Sequence, residues 1–125
     1  MLSPGLVTAL IVLGRLGLGA NFAYWGILNI GHIPSLDPMI AAKGLPQPWF
    51  LLRLAVGVEI VAGVMVAISL WPALGALALI GFTVVVTPVF HPFWQFTGEE
   101  RKAQFGNVVT NACIVGGLLL VIATG

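Results

Sequence analysis

One carboxylate stands alone in a run of hydrocarbon. Residues 54–63 read LAVGVEIVAG, and Glu59 is the single polar side chain among them. An acid so placed serves as half of an ion pair, as an acceptor that fixes helix register, or as a proton carrier at a ligand site. Candidate partners lie far away in sequence: Arg15, Asn21 and Asn111. Arg53 is nearer, but on one helix it would sit about 120° around and ~9 Å along the axis, a poor direct contact.

A second constellation is VFHPFWQFTGEER at residues 89–101. There His91 is a titratable group among Phe90, Phe93, Trp94 and Phe96. An interfacial aromatic belt accounts for the rings and leaves His91 unexplained. Aromatic walls with one titratable donor suit a quinone or another flat apolar ligand. His32 and His91 could together ligate haem or a metal. No CxxCH and no carboxylate–histidine spacing supports that, so neither haem nor a metal is expected. Cys113 is the only cysteine, which rules out an intrachain disulfide or dithiol relay. It falls in an apolar run, where a buried thiol behaves as a small hydrophobe.

The elements that must position these groups follow from composition. The chain has 125 residues, 59% hydrophobic and 7% charged, with a mean hydropathy of +1.09. Soluble domains carry about 25% charged residues, so this composition belongs to integral membrane proteins. A net charge of +1 gives no sign of nucleic-acid binding. A spanning helix needs about 20 mainly apolar residues, and four segments qualify: 4–30, 48–70, 72–90 and 103–123. The expected fold is all-α, an integral membrane four-helix bundle forming one domain over residues 1–125. Residues 1–14, MLSPGLVTALIVLG, have no Lys or Arg ahead of the apolar run. They therefore read as part of a retained span rather than a cleaved leader.

Helices two and three meet at the short turn LWPAL, while the other two connections are long. The first contains SLDPMIAAKG, with Ser35 or Asp37 as an N-cap and Gly44 as a stop. This predicts a short interfacial helix between helices one and two. The two long loops share a face and carry Lys43, Arg101 and Lys102, with Arg53 close by; the opposite face has no Lys or Arg. The positive-inside rule puts the loops in the cytoplasm and the termini outside.

Depth follows from the helical rise. Glu59 is eleven residues past Pro48, roughly 16 Å below the loop face and near the midplane of a ~30 Å core. If helix one ends near His32, Asn21 lies at the same level, Asn111 about 12 Å down, and Arg15 one to two turns beyond Asn21. This predicts a cluster of Arg15, Asn21, Glu59 and Asn111. Glycines 14, 17, 19, 57, 63, 116 and 117 would let the helices approach closely.

The sequence resembles the DoxX family, small four-helix membrane proteins of bacteria and archaea. The resemblance rests on RLGLGANFAYWGILNI (15–30), GLPQP (44–48), VGVEIVAGVMV (56–66), FHPFWQFTGEE (90–100) and NACIVGGLLL (111–120). It implies that Arg15, Glu59, His91 and Asn111 are recurrent positions. Relatives often carry Lys where this chain has Asn29 and Thr110, so two cations of the pattern are missing here. The family takes its name from a subunit of a thiosulfate:quinone oxidoreductase. This implies a multi-pass subunit of the cytoplasmic (inner) membrane in a quinone-linked redox system of thiol or thiosulfate type.

In that reading Glu59 and His91 handle protons. Arg15, Asn21, Phe93, Trp94 and Asn111 surround a quinone-like ligand, and electrons come from a partner. A homo-oligomer or a larger membrane complex is expected. The alternative is a non-catalytic scaffold or assembly subunit whose polar cluster is purely structural. A small-molecule carrier is a third option, but four helices are few for alternating access without dimerisation.

Overall fold

The computed structural model describes residues 1–125 and contains four long helices and no strands. They are α1 (Pro4–Ala42), α2 (Pro48–Ala67), α3 (Pro72–Phe90) and α4 (Gly98–Thr124), with one 3-10 turn at Phe93–Gln95. All four are long and apolar enough to cross a membrane. The chain is therefore a four-helix membrane bundle, as its composition requires.

Proline sets three of the helix starts. Pro4, Pro48 and Pro72 occupy first-turn positions, where the missing N–H has no intrahelical partner to lose. Ser3 caps α1 by accepting a 3.2 Å hydrogen bond from the Leu6 N–H. Between α2 and α3 the chain reverses through left-handed Ser69 (φ 58°) and Trp71 (φ 45°). This ends α2 at Ala67 rather than at 70. At the other end α4 begins at Gly98, five residues ahead of the expected 103. Glu99 and Glu100 fill its first turn, where negative charge opposes the positive end of the helix dipole.

The largest departure concerns the interfacial helix. Its residues are helical, but they continue α1 without a break, through Pro34 and Pro38. Proline inside a helix costs about 3 kcal/mol or more, and side-chain contacts offset this here. Asp37 accepts two hydrogen bonds from the Arg53 guanidinium, at 3.0 and 3.1 Å. That guanidinium also lies 4.1 Å over the Trp49 ring and donates to the Trp49 carbonyl. Ile40 is buried. The expected stop at Gly44 holds, since Gly44 takes a φ of +76° just after the cap Lys43.

With 39 residues, α1 is about 58 Å long. It runs antiparallel to α2 in a register fixed by glycine. Gly19 lies on the backbone of Gly63 and Ala67, and a Cβ on Gly63 would be 2.8 Å from the Ala23 nitrogen. Gly75 brings α3 against α2, and Gly117 meets Leu18 of α1. By contrast Gly14, Gly17, Gly57 and Gly116 face open space. Residues 4–14, about 16 Å of helix, stand clear of the other helices, apolar and exposed.

The packed core of Phe22, Ala62, Val66, Ala76, Leu79, Leu118 and Val121 fills the half of the bundle nearest the termini. These close approaches all lie there. In the loop-side half a space between the helices becomes the site.

Candidate functional site

Four helices line a cleft of about 740 Å³ in the loop-side half of the bundle. From α1 come Asn21, Trp25 and Asn29, spaced i, i+4, i+8 along one face; from α4 come Asn107, Thr110, Asn111 and Ile114. Glu59 of α2 and Thr83 of α3 form its floor, with His91 at the end of α3. Phe22, Phe82, Trp25 and Phe90 supply aromatic walls, and Phe22 and Phe82 meet edge to face at 6.2 Å.

Glu59 is buried, 6% exposed. The Asn29 Nδ2 donates to its Oε2 at 3.2 Å, the only side-chain hydrogen bond it makes. Its other oxygen is left to the cleft. Ile60 and the Glu59 side chain close over Gly26, so the carboxylate is held in one place along α1. A charged acid at membrane depth costs about 3 kcal/mol, and such a group needs a partner or a polar cavity. Here Asn29 is the partner and the cleft is the cavity.

His91 ends α3, its backbone N–H donating to the Thr87 carbonyl at 2.8 Å. Its Nδ1 lies 2.8 Å from the Gln104 amide oxygen. With this acceptor beside it, Nδ1 donates when it carries the ring proton. The Asn107 amide nitrogen lies 3.4 Å from the same Nδ1. Asn111 donates to the Thr87 hydroxyl at 2.9 Å, and that hydroxyl donates to the Thr83 carbonyl at 2.6 Å. Each of these bonds between side chains joins two helices across the cleft or along its edge.

The structure thus brings together four of the residues singled out in sequence: Asn21, Glu59, His91 and Asn111. The expected cluster around Glu59 is nevertheless different. Because α1 continues to Ala42, Asn29 and not Asn21 is level with the carboxylate, and Asn21 lies about 12 Å further toward the termini. Arg15 is about 21 Å along the helix from Asn29 and takes no part. It donates instead to the Thr124 carbonyl at 2.8 Å, capping the negative end of α4. Asn111 bonds to Thr87 rather than to Glu59.

Phe93 and Trp94 also lie outside the cleft. Pro92 and the 3-10 turn carry them toward the start of α4. There Phe93 meets Trp94 at 5.4 Å and Phe105 at 5.1 Å, both edge to face, with Arg101 at 5.7 Å. That is the arrangement of an interfacial anchor. The aromatic walls come from other rings, and Cys113, expected to be buried, is exposed on α4.

Asn29, Asn107 and Trp25 escaped the sequence reading as site residues. Their signal was present. Gln104, Asn107 and Asn111 recur at i, i+3 and i+7 along α4, a polar stripe of helical period on an otherwise apolar segment.

A small all-helical membrane protein with a polar cleft in one half of its bundle is the class that this fold and site define. The DoxX family model matches residues 10–92 of the chain. The protein belongs to the DoxX family. It is also similar to the inner membrane protein YphA of Escherichia coli (strain K12), 23% identical over 116 residues, which cover 93% of this chain and 83% of that protein. No solved structure matches the chain.

Proposed function

We propose that this chain is the membrane subunit of a quinone-linked redox system in the cytoplasmic membrane, and that a quinone-like headgroup occupies the cleft between α1 and α4. The observation that carries this reading is the convergence of Asn21, Glu59, His91 and Asn111 on one aromatic-walled cavity. Its volume falls within the ~300–1,000 Å³ of small-molecule sites.

The donor set fits such a ring. Asparagine amides donate to carbonyl oxygens and accept from hydroxyls, so one site serves the oxidised and reduced forms. No Lys or Arg lines the cleft, and the nearest cations are committed elsewhere, Arg53 to Asp37 and Arg15 to Thr124. This favours a neutral ligand over a sulfur oxyanion. Any thiol or thiosulfate would be oxidised on a partner, which also provides the electrons.

A quinone bound here would accept two electrons and two protons. Glu59 and His91 each move one proton, Glu59 at its cleft-facing oxygen and His91 at its imidazole. His91 stands at the loop face and connects the cleft to the aqueous side, which the positive loops make the cytoplasm. The helix-joining hydrogen bonds serve equally well in a non-catalytic scaffold, so retention of ligand decides between the two. Chain extracted gently from bacterial membranes should release quinone into organic solvent at close to one per chain. Quinone-free protein from the same preparation would overturn the proposal.

A further inference from the structure

A second cavity lies on the opposite side of α2 and α3. It holds about 420 Å³, and hydrocarbon forms its walls throughout. It arises because α2 and α3 touch at Gly75 and diverge toward the loop face; Ile40 and Leu45 close its upper end. Five residues line both this groove and the polar cleft: Leu52, Ala55, Phe82, Val86 and Phe90. The two cavities therefore stand back to back, separated by a single layer of side chains.

We infer that the two form one site for an amphiphile, with a flat headgroup in the polar cleft and its hydrocarbon tail in the α2–α3 groove. The inference rests on the quinone reading of the cleft and adds the tail as a determinant of recognition. A polar cavity and an apolar one that share a wall match the two ends of a single tailed molecule. The groove alone has no donor or acceptor to orient a ligand, whereas the cleft fixes the ring through its amides. The tail passes between Leu52 and Ala55 on α2 and Phe82, Val86 and Phe90 on α3. Of these Ala55 is the smallest side chain and marks the thinnest point of the shared wall.

Gly81 gives a clean test. It lines the groove and is not part of the cleft, and a Cβ added there would meet nothing within 4 Å. Gly81→Phe should therefore fill the groove while the bundle stays folded, and Ala78→Phe fills it from the adjacent turn. Gly57→Phe, also in open space but outside the groove, controls for partition into lipid. The full chain in nanodiscs is titrated with a tailless benzoquinone and with the same ring bearing a decyl tail.

The wild type and Gly57→Phe should prefer the tailed ring by about tenfold or more. Gly81→Phe and Ala78→Phe should lose that preference and keep their affinity for the tailless ring within about twofold. Equal binding of both rings by the wild type would overturn the tail assignment and leave the cleft reading intact. So would a preference that survives in both groove variants, with only a phospholipid displaced. Failure of either ring to bind the wild type would overturn the quinone reading, and this inference with it.

Discussion

Glu59→Gln leaves the bundle folded and the cleft able to bind quinone, but lowers quinone reduction at pH 7 by about a hundredfold or more. Glutamine preserves shape and still offers a carbonyl oxygen to the Asn29 amide, now 3.2 Å from the Glu59 carboxylate. What disappears is the proton. A positioned acid or base contributes about 10²–10⁴ in rate, and the cleft holds only one other titratable side chain, His91. Turnover is followed as quinol formation in respiring native membranes containing the chain, beside a thermal-unfolding curve of the same variant. Lost stability with unchanged turnover per folded chain would make Glu59 a structural residue and the protein a scaffold.

Gly19→Leu has the largest expected effect on stability, about 3 kcal/mol or more. A Cβ at this position runs directly into the Ala67 backbone nitrogen and the Gly63 carbonyl, neither of which can rotate aside. The helices must separate, and a displacement at Gly19 carries Asn29 away from Glu59 further along the same helix. Gly17→Leu, two residues away and facing open space, changes stability by no more than about 0.5 kcal/mol. Unfolding midpoints of the two variants in one detergent check the contrast. Equal midpoints would show that the α1–α2 contact is looser than the structure places it.

These two residues also mark how far the sequence could be read. Four spans follow from hydropathy alone, because lipid demands long apolar helices whatever their partners. The membership of the cleft was half legible. Glu59, Asn21 and Asn111 are polar groups at depth, which is visible in any one helix, and His91 is a titratable group amid boundary aromatics. Their pairing was not visible, because it depends on register. The cap-like Ser35 and Asp37 argued for a separate short helix after helix one. The Arg53–Asp37 pair and buried Ile40 hold the helix together through this stretch. That continuation substitutes Asn29 for Asn21 beside Glu59 and takes Arg15 out of reach.

Glycine shows the same limit. Gly14, Gly17 and Gly19 look alike in sequence, yet only Gly19 carries a helix contact. Phe93 and Trp94 adjoin His91 in sequence but leave it in space, since a proline and a 3-10 turn point them outward. Trp25 and Phe82, distant in sequence, form the walls instead.

The central claim is that a quinone headgroup sits between α1 and α4 beside Glu59. A photoactivatable azido-quinone, crosslinked to the full chain in nanodiscs and mapped by peptide mass, tests it most directly. Adducts should fall on residues 21–29 and 107–114, and excess unlabelled quinone should suppress them. Adducts confined to the exposed stretch 4–14, or unaffected by competitor, would contradict the assignment of the cleft.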